Sequence, residues 1–270
     1  MTIGRGGSIV NGGTWFPAMP AVRVGGLWSL LIGLGLLATM GVGCTAAVKH
    51  DRVGLVTDFF PLIPSSRWEY LVTRRSEGFP LRLVATVRPD EFKGPNGQGC
   101  RVVDEHYGDR PAGERSPIVY CAEGGFLHKV MALEYRGESL EDNGLRSGEL
   151  KFLPIDLGQT RTWEGRTNAY QLPDGSGFEV RQLHQAFVQP EPVEVPAGRF
   201  DRCVRVETTA IHSATGPDGA TVGTRVVYYY SDWYAPGVGL IRTEQRSANA
   251  EVLATVQLVG YQIARGTGPQ

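Results

Sequence analysis

The sequence predicts an all-β fold of antiparallel strands, and three observations carry the prediction. Side chains alternate with period two through several short runs, most cleanly where Leu81, Leu83, Ala85 and Val87 interleave with Arg82, Val84, Thr86 and Arg88. Turn chemistry recurs between such runs, at Asn96-Gly97, Gly124-Gly125, Pro173-Asp174-Gly175 and Pro217-Asp218-Gly219. Helical periodicity is almost absent after Phe59, and 36 glycines and 17 prolines suit a chain rich in turns.

The N-terminal segment is different in kind. From Gly26 to Cys44 no residue is charged, leucines dominate Leu27 to Leu37, and Arg23 precedes the run. A membrane-spanning helix needs about 20 apolar residues; this run is shorter and interrupted by Gly33, Gly35, Gly41 and Gly43, so it reads as a secretory h-region. Gly33-x-Gly35 has no preceding strand and is no nucleotide-binding loop. The segment resembles a bacterial lipoprotein signal, in which a small residue precedes a cysteine that takes lipid such as palmitate, and Gly43-Cys44 fits that pattern. Gly41 stands where such signals carry an aliphatic residue, and Met19 offers a compact start, Met19-Pro20-Ala21-Val22-Arg23. An uncleaved anchor and cleavage by ordinary signal peptidase are the alternatives. In lipoproteins of this type a residue other than Asp after the cysteine implies the outer membrane, and Thr45 stands there. The domain plan is therefore a signal over 1–43, a tether over 44–58 and a β domain over 59–264.

Without residues 1–43, 25 basic and 28 acidic side chains remain, a balance that gives no electrostatic footprint for nucleic acid. With Cys44 assigned to lipid, Cys100, Cys121 and Cys203 are left, none in a C-x-x-C pair that would point to structural zinc. Cys100 and Cys121 lie a hairpin apart and are expected to pair in an oxidising compartment, leaving Cys203 reduced.

In chain order, Arg67 to Val72 reads as the first strand, with Trp68 and Tyr70 on one face, and Leu81 to Val87 as the second. The turn at Asn96-Gly97 leads into a strand holding Cys100, Val102 and Val103; Ile118 to Glu123 and Phe126 to Leu133 form a hairpin about Gly124-Gly125. Gly137 to Gly148 reads as an acidic surface loop. Pro190, Pro192 and Pro196 keep Gln189–Gly198 from donating a full ladder, which places that stretch at an edge or crossing. The last strands are Thr224 to Tyr230, Val238 to Glu244 and Val252 to Ile263.

An internal repeat organises these strands. Phe60-Pro61-Leu62 with Trp68-Glu69 echoes Leu153-Pro154-Ile155 with Trp163-Glu164; Cys100-Arg101-Val102 echoes Val204-Arg205-Val206; and Tyr120 to Lys129 echoes Tyr230 to Arg242. Two similar β units, about 59–150 and 151–264, would pair their faces around one core.

Catalytic signatures are missing from the sequence: no Gly-x-Ser-x-Gly elbow, P-loop, HExxH or EF-hand loop occurs. Asp104 and His106 share a strand face, with Glu105 on the other and Asp109 nearby, which reads as a solvated strand end before it reads as a metal site. His128 and His184 sit in alternating strands, and Glu164 and Glu179 have no evident carboxylate partner. The suggestive feature is aromatic: Tyr228 and Tyr230 point one way, Tyr229 the other, and Trp233 and Tyr234 follow. These side chains belong either to a central strand covered on both faces or to a concave wall receiving an apolar ligand, with Tyr228, Tyr230, Trp233 and Tyr234 as its lining.

Three motifs carry a resemblance across most of residues 59–264: Phe60-Pro61-Leu62 with Trp68-x-Tyr70, Val195-Pro196-Ala197-Gly198-Arg199-Phe200, and Tyr234-Ala235-Pro236-Gly237-Val238-Gly239-Leu240. They resemble a broad group of β-rich bacterial lipoproteins and periplasmic proteins of unassigned activity. The resemblance implies a curved antiparallel sheet or clam-like half-barrel, of the kind lipoprotein carriers also use. The expectation is a non-catalytic, cofactor-free binding protein, anchored to the membrane through lipid on Cys44 and taking an apolar envelope ligand or an envelope protein. A structural scaffold, or a hydrolase with its site dispersed over loops, are the other readings.

Overall fold

The computed structural model describes residues 56–94, 97–108, 115–130, 133–136, 139–142, 150–157, 160–171 and 175–265. All fall in the compact unit Val53–Gln270. The signal segment, Met19, Cys44, the tether as far as Leu55, Asn96, Asp109 and Pro173-Asp174 lie outside the described residues.

Every regular element among the described residues is a strand. The chain begins with a short ribbon, β1 (Val56–Thr57) against β2 (Phe60–Pro61). A first meander follows through β3 (Arg67–Arg74), β4 (Leu81–Val87), the two-residue β5 (Phe92–Lys93), β6 (Gly99–Tyr107), β7 (Ser116–Glu123) and β8 (Phe126–Val130). A separate hairpin, β9 (Leu133–Arg136) with β10 (Ser139–Asp142), precedes β11 (Leu150–Pro154), which returns to β8. A second meander runs without insertion through β12 (Thr162–Gln171), β13 (Gly177–Val195), β14 (Gly198–Thr215), β15 (Thr221–Ala235), β16 (Gly239–Ser247) and β17 (Val252–Gln262). β17 then pairs antiparallel with β3, so the meanders share one sheet whose path has twelve strands, from β11 at one end to β12 at the other, with β5 added beside β6.

The two end strands meet. Gly165 of β12 lies so close to β11 that a Cβ there would stand 3.1 Å from the Lys151 carbonyl oxygen and 3.1 Å from a Leu150 methyl. No ladder joins β11 to β12 among the described residues, so the seam is held by packing. The result is a nearly closed antiparallel barrel in which each meander is a half. Of the segments that echo one another in sequence, Trp68 and Trp163 each stand on the first strand of a meander and face inward, whereas Arg101 on β6 faces inward and Arg205 on β14 faces outward beside Trp233.

Period-two alternation sets the inner and outer faces. In β4, Leu81, Leu83, Ala85 and Val87 are buried inside while Arg82 is exposed. Trp68, Tyr70 and Val72 on β3 and Val256 and Leu258 on β17 continue the inner wall. At the end where the chain enters, Phe60 packs against Tyr120, Phe152 and Tyr234 with ring centroids 5.2 to 6.5 Å apart. The Gly237 amide donates to the Asp58 carbonyl at 2.6 Å, fixing the incoming segment there. Ala235-Pro236-Gly237-Val238 is a type II turn, with Gly237 at φ 71° and the Val238 amide bonded to the Ala235 carbonyl at 3.1 Å.

Two sequence expectations need correction here. Gly137 to Gly148 is not wholly loop, because Ser139–Asp142 pairs with Leu133–Arg136 as a hairpin of its own. The aromatic strand runs on through Ala235 instead of stopping at Tyr230, since β14 on one side and β16 on the other both pair with Tyr234. In the proline stretch, β12 pairs only as far as Gln185, so the part of β13 beyond it is an edge on that side, and its register with β14 slips around Pro190 and Pro192.

Candidate functional site

The inner face of the second meander carries a continuous polar belt. Cross-strand partners in register are Trp163 and His184, His184 and Thr208, Thr208 and Tyr230, and Tyr230 and Gln245, so five strands contribute one side chain each. The indole of Trp163 stacks on the His184 imidazole at 4.8 Å and 12°. Nδ1 of His184 lies 2.8 Å from the Thr208 hydroxyl, and the Gln245 amide donates to the Tyr230 hydroxyl at 3.1 Å. Trp163, His184, Thr208 and Gln245 are buried. At strand spacings of about 4.8 Å the belt spans roughly 19 Å of wall.

Beside the belt, one pairing step along, sits an acid. Asp232 accepts a hydrogen bond from the Thr243 hydroxyl at 2.6 Å, and burial pushes its carboxyl up to about 6; the Thr243 bond and the Lys129 ammonium pull it down, and Glu207 adds to the rise. Burial raises the Tyr230 phenol, and Asp232 adds to the rise. The same two effects raise Tyr234. From the first meander, Tyr70 donates to the Leu240 carbonyl at 3.1 Å, and Tyr70 and Tyr120 are both raised by burial and by the Glu105 carboxylate. Burial pushes His184 and His212 down to about 4, so both are neutral at pH 7.

The aromatic residues singled out in sequence do not all meet. Tyr228, Tyr230 and Tyr234 share the inner face of β15. Tyr228 is buried, edge-on to His212 at 5.3 Å. Tyr234 is only 2% exposed and belongs to the apolar cluster with Leu153, Leu157, Trp163, Val204 and Val206. Trp233 is on the outer face: its indole N–H donates to Glu191, and the Arg242 guanidinium lies 5.0 Å over its ring. It is part of an outer belt in which Arg205 pairs with Glu191 and Glu207, Ser231 donates to Glu207 at 3.0 Å, and Glu244 pairs with Arg242 and Arg246.

Other sequence candidates also resolve. Asp104 is on the outer face and pairs with Arg115 at 3.7 Å, while Glu105 points to the inner side with Ala85. Glu164 forms a two-point bond with Arg181 on the outer face, and that guanidinium lowers its carboxyl; Glu179 pairs with Arg166. His128 is buried, with Nε2 3.1 Å from the Glu123 carbonyl. Cys100 and Cys121 sit opposite one another in register and form a disulfide, covered by Val102, Val119 and Phe92 on the outer side. Cys203 is free and buried; burial pushes its thiol up to about 11.

The inner charges were missed at the sequence level although period two contained the signal. Asp232 has the parity of Tyr228, Tyr230 and Tyr234, and Glu105 that of Val103 and Tyr107. The pairing of Trp163 with His184 needed the register of β12 on β13, which no short motif encodes.

Comparison with curated proteins gives no match. Among solved structures, the chain is similar to a predicted lipoprotein from Parabacteroides distasonis ATCC 8503, at 17% identity and a TM-score of 0.49, over 76% of this chain and 99% of that one. It is also similar to a predicted exported protein with a YmcC-like fold from Bacteroides fragilis NCTC 9343, at 17% identity and a TM-score of 0.44, with the same coverage. Residues 164–258, from β12 into β17, match the DUF3108-like family.

Proposed function

We propose that this chain is an extracytoplasmic lipoprotein, held to the membrane by lipid on Cys44, that binds an apolar envelope ligand inside its barrel and performs no catalysis. The observation that carries the reading is the inner wall: Tyr70, Tyr120, Tyr228, Tyr230 and Tyr234 face inward with Asp232, presenting apolar rings with polar tips. Barrels of about eight strands are filled by their side chains and those of about sixteen hold a channel; a path of twelve strands lies between. The disulfide supports an oxidising compartment, and the apolar run ending at Gly43-Cys44 supports export and lipidation. Outer-membrane placement rests on Thr45.

A scaffold reading is favoured by one observation, the dense packing of Tyr234 against Trp163, Leu153 and Val206 at one end of the barrel. Mass spectrometry of small molecules retained by natively extracted protein separates the two. Tyr228→Ala and Tyr230→Ala are expected to stay folded and lose the retained molecule. Melting points lowered by a large core deletion, on the order of 3–5 kcal/mol, with retention unchanged would leave the scaffold. Radiolabelled palmitate is expected in the wild type and not in Cys44→Ser; equal labelling would remove the anchor from the reading.

A further inference from the structure

The polar belt contains two buried nitrogens with no hydrogen-bond partner, Nε1 of Trp163 and Nε2 of His184. A buried polar atom left unpaired costs about 1–3 kcal/mol, and here two stand on rings stacked on one another. The indole N–H only donates. With Nδ1 of His184 engaged by Thr208, its Nε2 is the remaining group of that ring. The surroundings on the near side are apolar: Leu153, Leu157, Ala186, Val204 and Val206 form the cluster to which Trp163 belongs. The rest of the belt is already paired, Tyr230 with Gln245 and His184 with Thr208.

We infer that Trp163 and His184 form a recognition point for an uncharged oxygen on an acyl-chain ligand, an ester or hydroxyl of the kind a monoacylglycerol carries. This rests on the reading of the barrel as a ligand binder and names the ligand's chemical class. An ester carbonyl or hydroxyl oxygen accepts from the indole N–H, a hydroxyl also satisfies either tautomer of His184, and the acyl chain meets the apolar side chains packed around Trp163. A carboxylate or phosphate is disfavoured, because burying a charge there requires a counter-charge. His184 is held neutral by its burial, and of the inward-facing cations among the described residues, the Lys129 ammonium acts on Asp232 and Arg101 is buried on β6 opposite Tyr120 in the first meander.

The test uses the full chain, extracted natively and exchanged into amphipol, with amphipol alone as blank. N-phenyl-1-naphthylamine, an apolar dye without oxygen, is bound and then displaced by monoolein or by oleate at pH 7.5. Monoolein is expected to displace the dye at least tenfold more tightly than oleate. Trp163→Phe, which keeps an aromatic ring in the stack, is expected to weaken monoolein about tenfold and leave dye binding unchanged. His184→Phe gives the same comparison from the other ring and replaces the first variant if that one does not fold. Oleate binding as tightly as monoolein, or both variants binding monoolein like the wild type, overturns the recognition point while the barrel remains a binder. If neither dye nor lipid binds the wild type, the binding reading falls and takes the recognition point with it.

Discussion

The indole of Trp68 donates to the carbonyl of Val238 at 2.6 Å, across 170 residues of sequence. Two residues along β3, Tyr70 reaches the Leu240 carbonyl, and the Cβ position of Gly239 between them lies only 3.6 Å from the indole nitrogen. The motif pair Trp68-x-Tyr70 and Tyr234 to Leu240 is thus one structural unit, in which side chains of the first meander satisfy the backbone where the second turns into β16. Trp68→Phe removes the donor and keeps a ring. The buried carbonyl left behind predicts a loss of about 1–3 kcal/mol in urea unfolding, with β content by circular dichroism unchanged at low urea.

This unit also marks how far the sequence was legible. Alternation in β4, the Gly124-Gly125 hairpin and the Cys100–Cys121 separation are local, and local rules read them. The motifs around Trp68 and Val238 were visible as words, but their contact is a matter of barrel closure, set by β17 pairing with β3. The candidate site was half legible. Parity put Tyr228 and Tyr230 on one face, whereas Trp233 and Tyr234 were grouped with them by proximity in sequence; Tyr234 shares their face and Trp233 points outward. The belt from Trp163 to Gln245 runs perpendicular to the chain, one residue per strand, and so leaves no trace in any single segment.

Disulfide reduction gives a second prediction. Cys100 and Cys121 are separated by 21 positions, and closing a loop of that size is worth about 3 kcal/mol in the chain-entropy account. Paired Cys100→Ser and Cys121→Ser changes are expected to lower stability by about that amount in denaturant. Cys203, buried and with its thiol pushed up to about 11, is expected to resist a thiol reagent such as Ellman's in the native protein and to react once unfolded. Rapid labelling of Cys203 in the folded state would contradict its placement.

Buried ionisable groups predict the dependence of stability on pH. Asp232 has its folded value raised to about 6 from 3.8, so the folded chain keeps a proton that the unfolded chain loses, and this carboxyl makes stability fall as pH rises from about 4 to about 6. His184 and His212, lowered to about 4 from 6.5, act oppositely: unfolding lets them take protons, and their contribution is lost as pH falls from about 6.5 to about 4. Two histidines outweigh one carboxyl, so melting temperature is expected to rise between pH 4 and 6.5. Asp232→Asn is expected to make that rise steeper, and His212→Phe to flatten it. A series of melts in matched ionic strength decides both signs.

The seam between β11 and β12 supplies the last prediction. Every other neighbouring pair on the twelve-strand path is joined by a ladder, while here Gly165 closes on Lys151 by van der Waals contact. A Cβ at this position would sit 3.1 Å from the Lys151 carbonyl oxygen and 3.2 Å from its amide nitrogen, closer than ordinary contact, and the obstructing atoms are backbone that cannot rotate away. Gly165→Val therefore requires β11 and β12 to separate. Because the contact involves only the two end strands, the ladders from β11 round to β12 are left intact and the sheet persists. Trp163 stands two residues from Gly165 on the same strand and face, so separation at the seam exposes the cluster it shares with Leu153 and Leu157. Amide hydrogen exchange is expected to speed up in β11 and β12 and to stay slow in β3, β4 and β17. Trp163 fluorescence, isolated by Trp68→Phe and Trp233→Phe in the chain from Cys44 onward, which lacks Trp15 and Trp28, is expected to become quenchable by iodide. Uniformly faster exchange across all strands would mean instead that the seam is cooperative with the whole barrel.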